Sequence, residues 1–187
     1  RHEDTHIDNH EDHFDHQDIY KGFSYARYYW LYGFNYDSPH TKGKRCVYLR
    51  KQSLTCQRMN YTSNFIKNGS WGSIQYYGTF FSTPGISKGG AAMRTHYNSI
   101  RVRTNPGVWI EMNYTLIYAN YEGCLVLRIP AMLQGSGCMV LLTGAVVRRG
   151  LQGGCKIVYD KACGKHHTFY PIYDNSCRRK PSHSKTS

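Results

Sequence analysis

Eight runs of strand-forming residues, each closed by turn chemistry, constrain this 187-residue chain more than any other feature. Arg27 to Tyr36 is an aromatic run ended by Asp37-Ser38-Pro39, and Lys44 to Ser53 alternates through Val47 and Leu49. Arg58 to Lys67 stops at Asn68-Gly69, Ser73 to Phe81 at Thr83-Pro84-Gly85, and Ala92 to Arg103 at Asn105-Pro106-Gly107. Val108 to Tyr118, Cys124 to Ile129 and Cys138 to Thr143 complete the set. Connections this short hold no crossover helix, so neighbours pair antiparallel in up-and-down order. Eight strands with no spare edge predict a small closed barrel. After Gly150 a stretch near Gln152–Cys163 reads as one helix, with an extended tail through His167–Tyr173. The expectation is an all-β fold with a minor helical part: an acidic, His-rich arm over residues 1–18, including a short helix, then one domain over 19–187. Seventeen Tyr and eighteen Gly agree with strands and turns. No apolar run reaches the roughly 18 residues of a membrane helix, so no membrane insertion is expected.

Charge is unevenly distributed. Residues 1–18 hold seven acids against Arg1, which leaves 23 basic and five acidic residues in the other 169. No acid lies between Asp37 and Glu111, nor between Glu122 and Asp160. Such a body attracts polyanions, although solubility and docking of the acidic arm explain the same asymmetry. Seven Cys, at 46, 56, 124, 138, 155, 163 and 177, match no paired CxxC zinc spacing. Three sequons, at Asn60, Asn68 and Asn113, accompany them, and together they indicate an oxidising, secreted setting with N-linked sugar. A start at Arg1 fits a mature form after removal of a signal peptide. Secretion argues against a nucleic-acid partner.

Parity is readable in two strands. In Val108–Tyr118 the even positions are all apolar or aromatic, whereas Glu111 and the Asn113 sequon are odd. A glycan faces solvent, so the even set faces the barrel interior and Glu111 faces out. In Arg58–Phe65 the Asn60 sequon again marks the outside, leaving Met59, Tyr61 and Phe65 inside. The candidate ligand lining is Tyr32, Phe34, Tyr61, Phe65, Tyr76, Tyr97, Ile110, Met112, Tyr114, Leu116, Tyr118, Leu127, Met139 and Leu141. An eight-stranded barrel either fills with such side chains or holds one small ligand. A buried ammonium ion needs a carboxylate partner, and the sequence offers none inside.

Two strings spell catalytic patterns. His2-Glu3-Asp4-Thr5-His6 is an HExxH zinc motif, but it sits in the arm, where five His make the match fortuitous. Gly85-Ile86-Ser87-Lys88-Gly89 spells a nucleophile elbow, which needs a strand before it and a helix after it. Here it lies between two strands. His96 and the His166-His167 pair read as surface or satisfied groups. Neither an enzyme, nor a metal, nor any other cofactor is expected.

From His16 to Cys177 the chain resembles the tick salivary lipocalins, secreted by blood-feeding ticks to disarm host defences. His16-Gln17-Asp18-Ile19-Tyr20 is similar to the family's Gln-Asp-Ala-Trp segment, and Cys46-Val47-Tyr48 to its first cysteine strand. Tyr118 to Leu127 resembles its Tyr-x-x-Tyr-x-x-Cys-x-Val-Leu segment, and Cys138-Met139-Val140-Leu141 falls where the family reads Tyr/Cys-Glu-Leu-Trp. The resemblance implies a lipocalin barrel with one C-terminal helix outside. It also implies disulfides Cys46–Cys177 and Cys124–Cys155, with Cys138–Cys163 as a third and Cys56 left odd. Amine-binding members carry pocket acids where this chain has Met139, Leu125 and, near the end of the first strand, Ser38.

That departure favours a small hydrophobic ligand, a sterol such as cholesterol or a fatty acid or eicosanoid. The chain then groups with the japanin-like, dendritic-cell-modulating branch, acting in saliva on host inflammation through a lipid, an immune cell or a host protein target. Arg94 or Arg101 are candidates for a ligand carboxylate, and Tyr97, Tyr114 or Tyr118 for a sterol hydroxyl. The alternatives are an amine scavenger for histamine or serotonin, or a cationic surface that binds a host protein or sulfated glycan over a filled barrel.

Overall fold

The computed structural model describes residues 7–104, 111–164 and 168–181. Eight antiparallel strands form the barrel: β1 (Tyr28–Phe34), β2 (Lys44–Leu54), β3 (Arg58–Lys67), β4 (Ser70–Phe81), β7 (Ser99–Arg103), β8 (Glu111–Ala119), β9 (Cys124–Ile129) and β10 (Gly137–Thr143). β1 pairs with β10 as well as with β2, which closes the ring. A hairpin of β5 (Gly85–Ser87) and β6 (Gly90–Ala92) stands outside it, and β11 (Tyr170–Pro171) extends the end of β1. Helix α1 (Ile19–Ser24) precedes the barrel, and α2 (Gly153–Tyr159) follows it and runs into a π turn over Asp160–Gly164. Asn68 and Gly69, at φ 53° and 79°, form the two-residue turn that matches the twist of β3 and β4.

Two strands differ from the sequence expectation. The run Ala92–Arg103 supplies barrel strand only from Ser99. Before it, the Asn98 amide donates to Thr83 Oγ1 at 2.8 Å and its carbonyl oxygen accepts from Thr83 N at 2.9 Å, so the chain is tied to a loop rather than to a ladder. Residues 108–110 of the Val108–Tyr118 run lie outside the described residues, and the His2–His6 motif and His166-His167 do as well.

The core has two layers. One fills the barrel with Leu31, Phe34, Met59, Tyr61, Ile100, Leu116, Leu127 and Leu141, closed at one end by Ile19 and Phe23 of α1. The other lies between the barrel wall, α2 and the tail, and includes Trp30, Tyr48, Ile117, Val126, Val140 and Tyr159. β9 and β10 are buried on both faces, which is why they read as unbroken apolar runs. Disulfides join Cys124 of β9 to Cys155 of α2, Cys138 of β10 to Cys163 of the π turn, and Cys46 of β2 to Cys177 of the tail. Cys56 is free and exposed in the turn after β2.

The described part of the N-terminal arm is packed rather than loose. Ile7, Asp8 and Gln17 are buried, and a 3-10 turn spans Glu11–His16. Asp8 receives two hydrogen bonds from the buried Arg128 of β9, from Nε at 2.8 Å and Nη2 at 3.1 Å. Arg128 Nη1 also donates to the carbonyls of Ser136 and Ala162, each at 3.2 Å. One guanidinium thus joins the arm, the β9–β10 loop and the π turn.

Three bulges set the orientation of the lining. On β1 the pairing with β10 slips between Leu31 and Gly33, so Tyr32 is the extra residue and Phe34 keeps the interior side. On β8 the pairing with β9 slips between Leu116 and Tyr118, so Ile117 is extra and Ala119 turns inward. The β1 and β8 bulges each free a backbone carbonyl, and both are taken from outside the barrel. Ile172 N donates to Tyr32 O at 3.0 Å, and Gln17 Nε2 donates to Ile117 O at 3.0 Å. The tail and the arm therefore complete the barrel's hydrogen bonding. On β2 the pairing with β3 slips between Arg45 and Tyr48, which puts Lys44 on the same side as Val47.

Gly33 lets the tail reach β1. A Cβ there meets the Phe169 ring and lies 2.7 Å from the Tyr170 carbonyl oxygen. Gly33→Ala is expected to cost about 1–3 kcal/mol by overpacking, read as a fall of about 2–10 °C in Tm. Calorimetry of the disulfide-intact protein measures it.

Candidate ligand-binding site

The barrel encloses a narrow cavity of about 80 Å³. Phe23 of α1 lines its closed end, and Ser38, His40 and Thr41 of the β1–β2 loop, with Lys44 at the start of β2, line the other. Between them stand Leu31 and Phe34 of β1, Val47 and Leu49 of β2, Met59, Tyr61 and Ser63 of β3, Tyr76 of β4 and Ile100 of β7. Tyr114, Leu127, Met139 and Leu141 complete the wall. Of the residues expected to line a pocket, Phe34, Tyr61, Tyr76, Tyr114, Leu127, Met139 and Leu141 lie on this cavity. Phe65, Met112 and Leu116 belong to the interior core beside it.

Three others are elsewhere, and Ile110 lies outside the described residues. Tyr32, the bulge residue, points outward against Phe169, with ring centroids 5.6 Å apart. Tyr118, beyond the β8 bulge, stacks outside on His16 at 4.6 Å. Tyr97 lies in an external groove with Asp18, Cys56 and His96. The two arginines considered for a ligand carboxylate are not at the cavity either. Arg94 donates to Gln17 Oε1, Asp8 O and Thr83 O, which fixes it under the arm. Arg101 lies on the outer face, 3.7 Å from Glu111.

Four phenols converge in the cavity. Tyr61 and Tyr76 stack with centroids 5.3 Å apart, and Tyr36 packs on Phe34 at 4.9 Å. Burial pushes the hydroxyls of Tyr36, Tyr61, Tyr76 and Tyr114 upward, and the neighbouring phenol oxygens add to this for Tyr61 and Tyr114. All four are therefore neutral O–H groups in the physiological range. The lining holds no carboxylate among the described residues, and its cation is Lys44. Lys44 Nζ sits 4.0 Å from the Phe65 ring centroid. Burial, then the Lys67 charge, holds the Lys44 ammonium below the usual lysine range, and burial followed by Lys44 lowers His40. The arrangement can receive an apolar body, hydrogen-bond an oxygen-bearing group and neutralise one negative charge.

Lys44 escapes a reading by alternation, because strict period two sets it opposite Val47 and Leu49. The one sign of it in the sequence is the acid-free stretch from Ser38 to Ile110, which leaves its charge without a local partner. Tyr36 closes the aromatic run of the first strand and Ser38 is marked by the resemblance as the place of a family acid, whereas His40 and Thr41 carry no periodic signal. Among the described residues no cluster of three His, Cys, Asp or Glu is arranged to hold a metal. No helix among them is long and apolar enough to cross a membrane.

The comparisons with known proteins agree with this geometry. The crystal structure of AM182 in complex with serotonin superposes with a TM-score of 0.64 at 16% identity, over 88% of this chain and 94% of that one. Japanin from Rhipicephalus appendiculatus, bound to cholesterol, gives 0.52 at 14% identity, over 81% and 95%. Insecticyanin from the tobacco hornworm Manduca sexta gives 0.54 at 9% identity, over 83% and 82%. No curated protein sequence matches the chain significantly. The closed eight-stranded barrel is thus a lipocalin fold, a ligand-binding architecture. The model of the tick histamine-binding protein family matches residues 7–179, so the chain belongs to that family of secreted, small-ligand-binding lipocalins.

Proposed function

We propose that this protein is a salivary carrier that sequesters a single-chain lipid carboxylate, a fatty acid or eicosanoid, and so restrains host inflammation. The observation that carries the reading is the lining itself: among the described residues Lys44 is present, carboxylates are absent, and apart from Ser38, His40, Thr41 and Ser63 the rest is aromatic or aliphatic. An amine brought into this barrel leaves its charge unpaired, whereas a carboxylate meets an ammonium and neutral phenol donors. The charge of the lining separates the lipids, because a fatty carboxylate meets Lys44 whereas a sterol hydroxyl leaves it without an anion. At about 80 Å³ the cavity admits either guest only when the loop 35–43 and the phenols swing aside. The sterol reading keeps its support from the cholesterol complex of japanin.

Native mass spectrometry with arachidonate, cholesterol and serotonin tests this. One equivalent of arachidonate is expected, with serotonin unbound. A charge-assisted hydrogen bond contributes about 1.5–3 kcal/mol, so Lys44→Met is expected to weaken arachidonate binding about 10–100-fold. Because the Lys44 pKa is lowered, its charge is lost as pH rises through that lowered value. Affinity for the carboxylate therefore fades at a pH below that of ordinary lysine, about 10.4, and Lys44→Met removes this alkaline limb. Cholesterol or serotonin bound more tightly than arachidonate, or an unchanged affinity in Lys44→Met, overturns the reading.

A further inference from the structure

We propose that Arg50 and Arg179 form a docking site for the sulfate groups of an extracellular sulfated polysaccharide, on the outer barrel face and separate from the ligand cavity. Tyr28 and Arg50 are cross-strand partners of β1 and β2, and both point outward. The Arg179 guanidinium lies over the Tyr28 ring, 3.8 Å from its centroid. The tail that carries it is fixed twice: Cys177 is bonded to Cys46, and Lys180 N donates to Tyr48 Oη at 3.2 Å. The Arg50 guanidinium beside the hydroxyl, with Arg179 adding to it, holds the Tyr28 phenol below its ordinary value.

One guanidinium thus lies over the Tyr28 ring and a second beside its hydroxyl, and among the described residues neither has a carboxylate partner. Like charges gathered at a fixed point repel, and an anion bridging them converts that repulsion into attraction. Among the described residues the neighbours supply no intramolecular anion. Across the sheet Arg50 faces Thr62, and Thr62 faces Gln75. No acid occurs from Ser38 to Ile110, and the described arm is docked on β8 and β9 through Gln17 and Asp8. Nor is the charge spread evenly, because Arg45 is answered by Asp174 at 3.7 Å and Arg101 by Glu111. The unanswered pair points to an external polyanion, and in a secreted protein the sulfate-rich polymer of cell surfaces and matrix fits both charge and location.

The test is binding of a heparin oligosaccharide across a salt series by the full-length protein. Its matched variants are Arg50→Gln/Arg179→Gln and, as an equal-charge control, Arg148→Gln/Arg149→Gln on the exposed turn before α2. The first pair is expected to lose about tenfold in affinity and to flatten the slope of log K against log salt by about two contacts. The control is expected to lose less than threefold, and arachidonate binding to stay unchanged in both. Equal losses in the two pairs reduce the effect to net charge and overturn the proposal. So does binding to polyglutamate as tight as to heparin, since that assigns the face to acidic protein, and so does no binding at physiological ionic strength. Circular dichroism of each variant verifies that the exposed substitutions leave the barrel folded.

Discussion

Arg128→Leu is expected to lower Tm by about 10 °C, the largest single loss of stability anticipated for a position outside the cavity. Its guanidinium is 2% exposed and Asp8 only 6%. Removing it leaves the Asp8 carboxylate without a hydrogen-bonded cation, with only the Arg94 charge nearby, and breaking a buried pair from one side costs about 3–5 kcal/mol. For a domain of this size about 2–4 °C of Tm is lost per kcal/mol. The carbonyl of Ala162 loses its side-chain donor at the same time, while that of Ser136 keeps Asn35 Nδ2 at 2.9 Å, so the π turn loosens together with the arm. Burial already pushes the Asp8 carboxyl above its ordinary range, with Arg128 pulling against it. Without Arg128 the carboxyl rises further, and the folded state then holds its proton more tightly than the unfolded chain. The added deficit is therefore largest at neutral pH and shrinks as pH falls toward the ordinary value of about 3.9. Asp8→Leu combined with Arg128→Leu removes both charges and is expected to recover more than half of the loss. Thermal unfolding at pH 7 and pH 4.5 resolves the effects. A double variant as unstable as Arg128→Leu assigns the loss to packing instead.

The barrel was legible in the sequence because turn chemistry and alternation agree along most of the chain. Asn68-Gly69, the β3 triad Met59, Tyr61 and Phe65, and Met112 with Tyr114 all take the faces their spacing implies. Alternation fails where a bulge inserts one residue. Tyr32 and Tyr118 have the right spacing from Phe34 and Leu116, and both end outside because the extra residues at 32 and 117 reverse the parity. No local pattern marks these bulges, since their freed carbonyls are satisfied by Ile172 and Gln17, respectively 140 and 100 residues away in the chain. The same irregularity at Arg45–Tyr48 hides Lys44 from any periodic reading. Position in the loop 35–43 is set by tertiary closure of the cavity, so His40 and Thr41 join the site without a motif, and Ser38 only through the resemblance. The acid gap survives all of this, because the absence of a residue type does not depend on register.

Met139 offers the sharpest test of what that gap selects. It lies on the cavity wall of β10, opposite Leu127 of β9 and Phe34 of β1. By the sequence resemblance it also falls where the family's segment reads Glu-Leu-Trp. Met139→Glu places a carboxylate among neutral phenols, where it repels a bound fatty acid and offers an ammonium the partner it lacks. Arachidonate affinity is expected to fall at least a hundredfold, and serotonin to go from unbound to measurable, a reversal of preference worth about 3 kcal/mol or more at each ligand. The added acid also destabilises the empty barrel, because a buried carboxylate with Lys44 as the one lysine or arginine of the lining still gives up its hydration. Serotonin is then expected to raise the Tm of Met139→Glu and to leave that of the wild type unchanged. Met139→Gln keeps the polarity and the volume without the charge, and is expected to lose less than tenfold for arachidonate while gaining nothing for serotonin. If the Glu and Gln variants respond alike, polarity and not charge governs the cavity. Lys44 then has no anion to read, and the slot is left to a neutral guest.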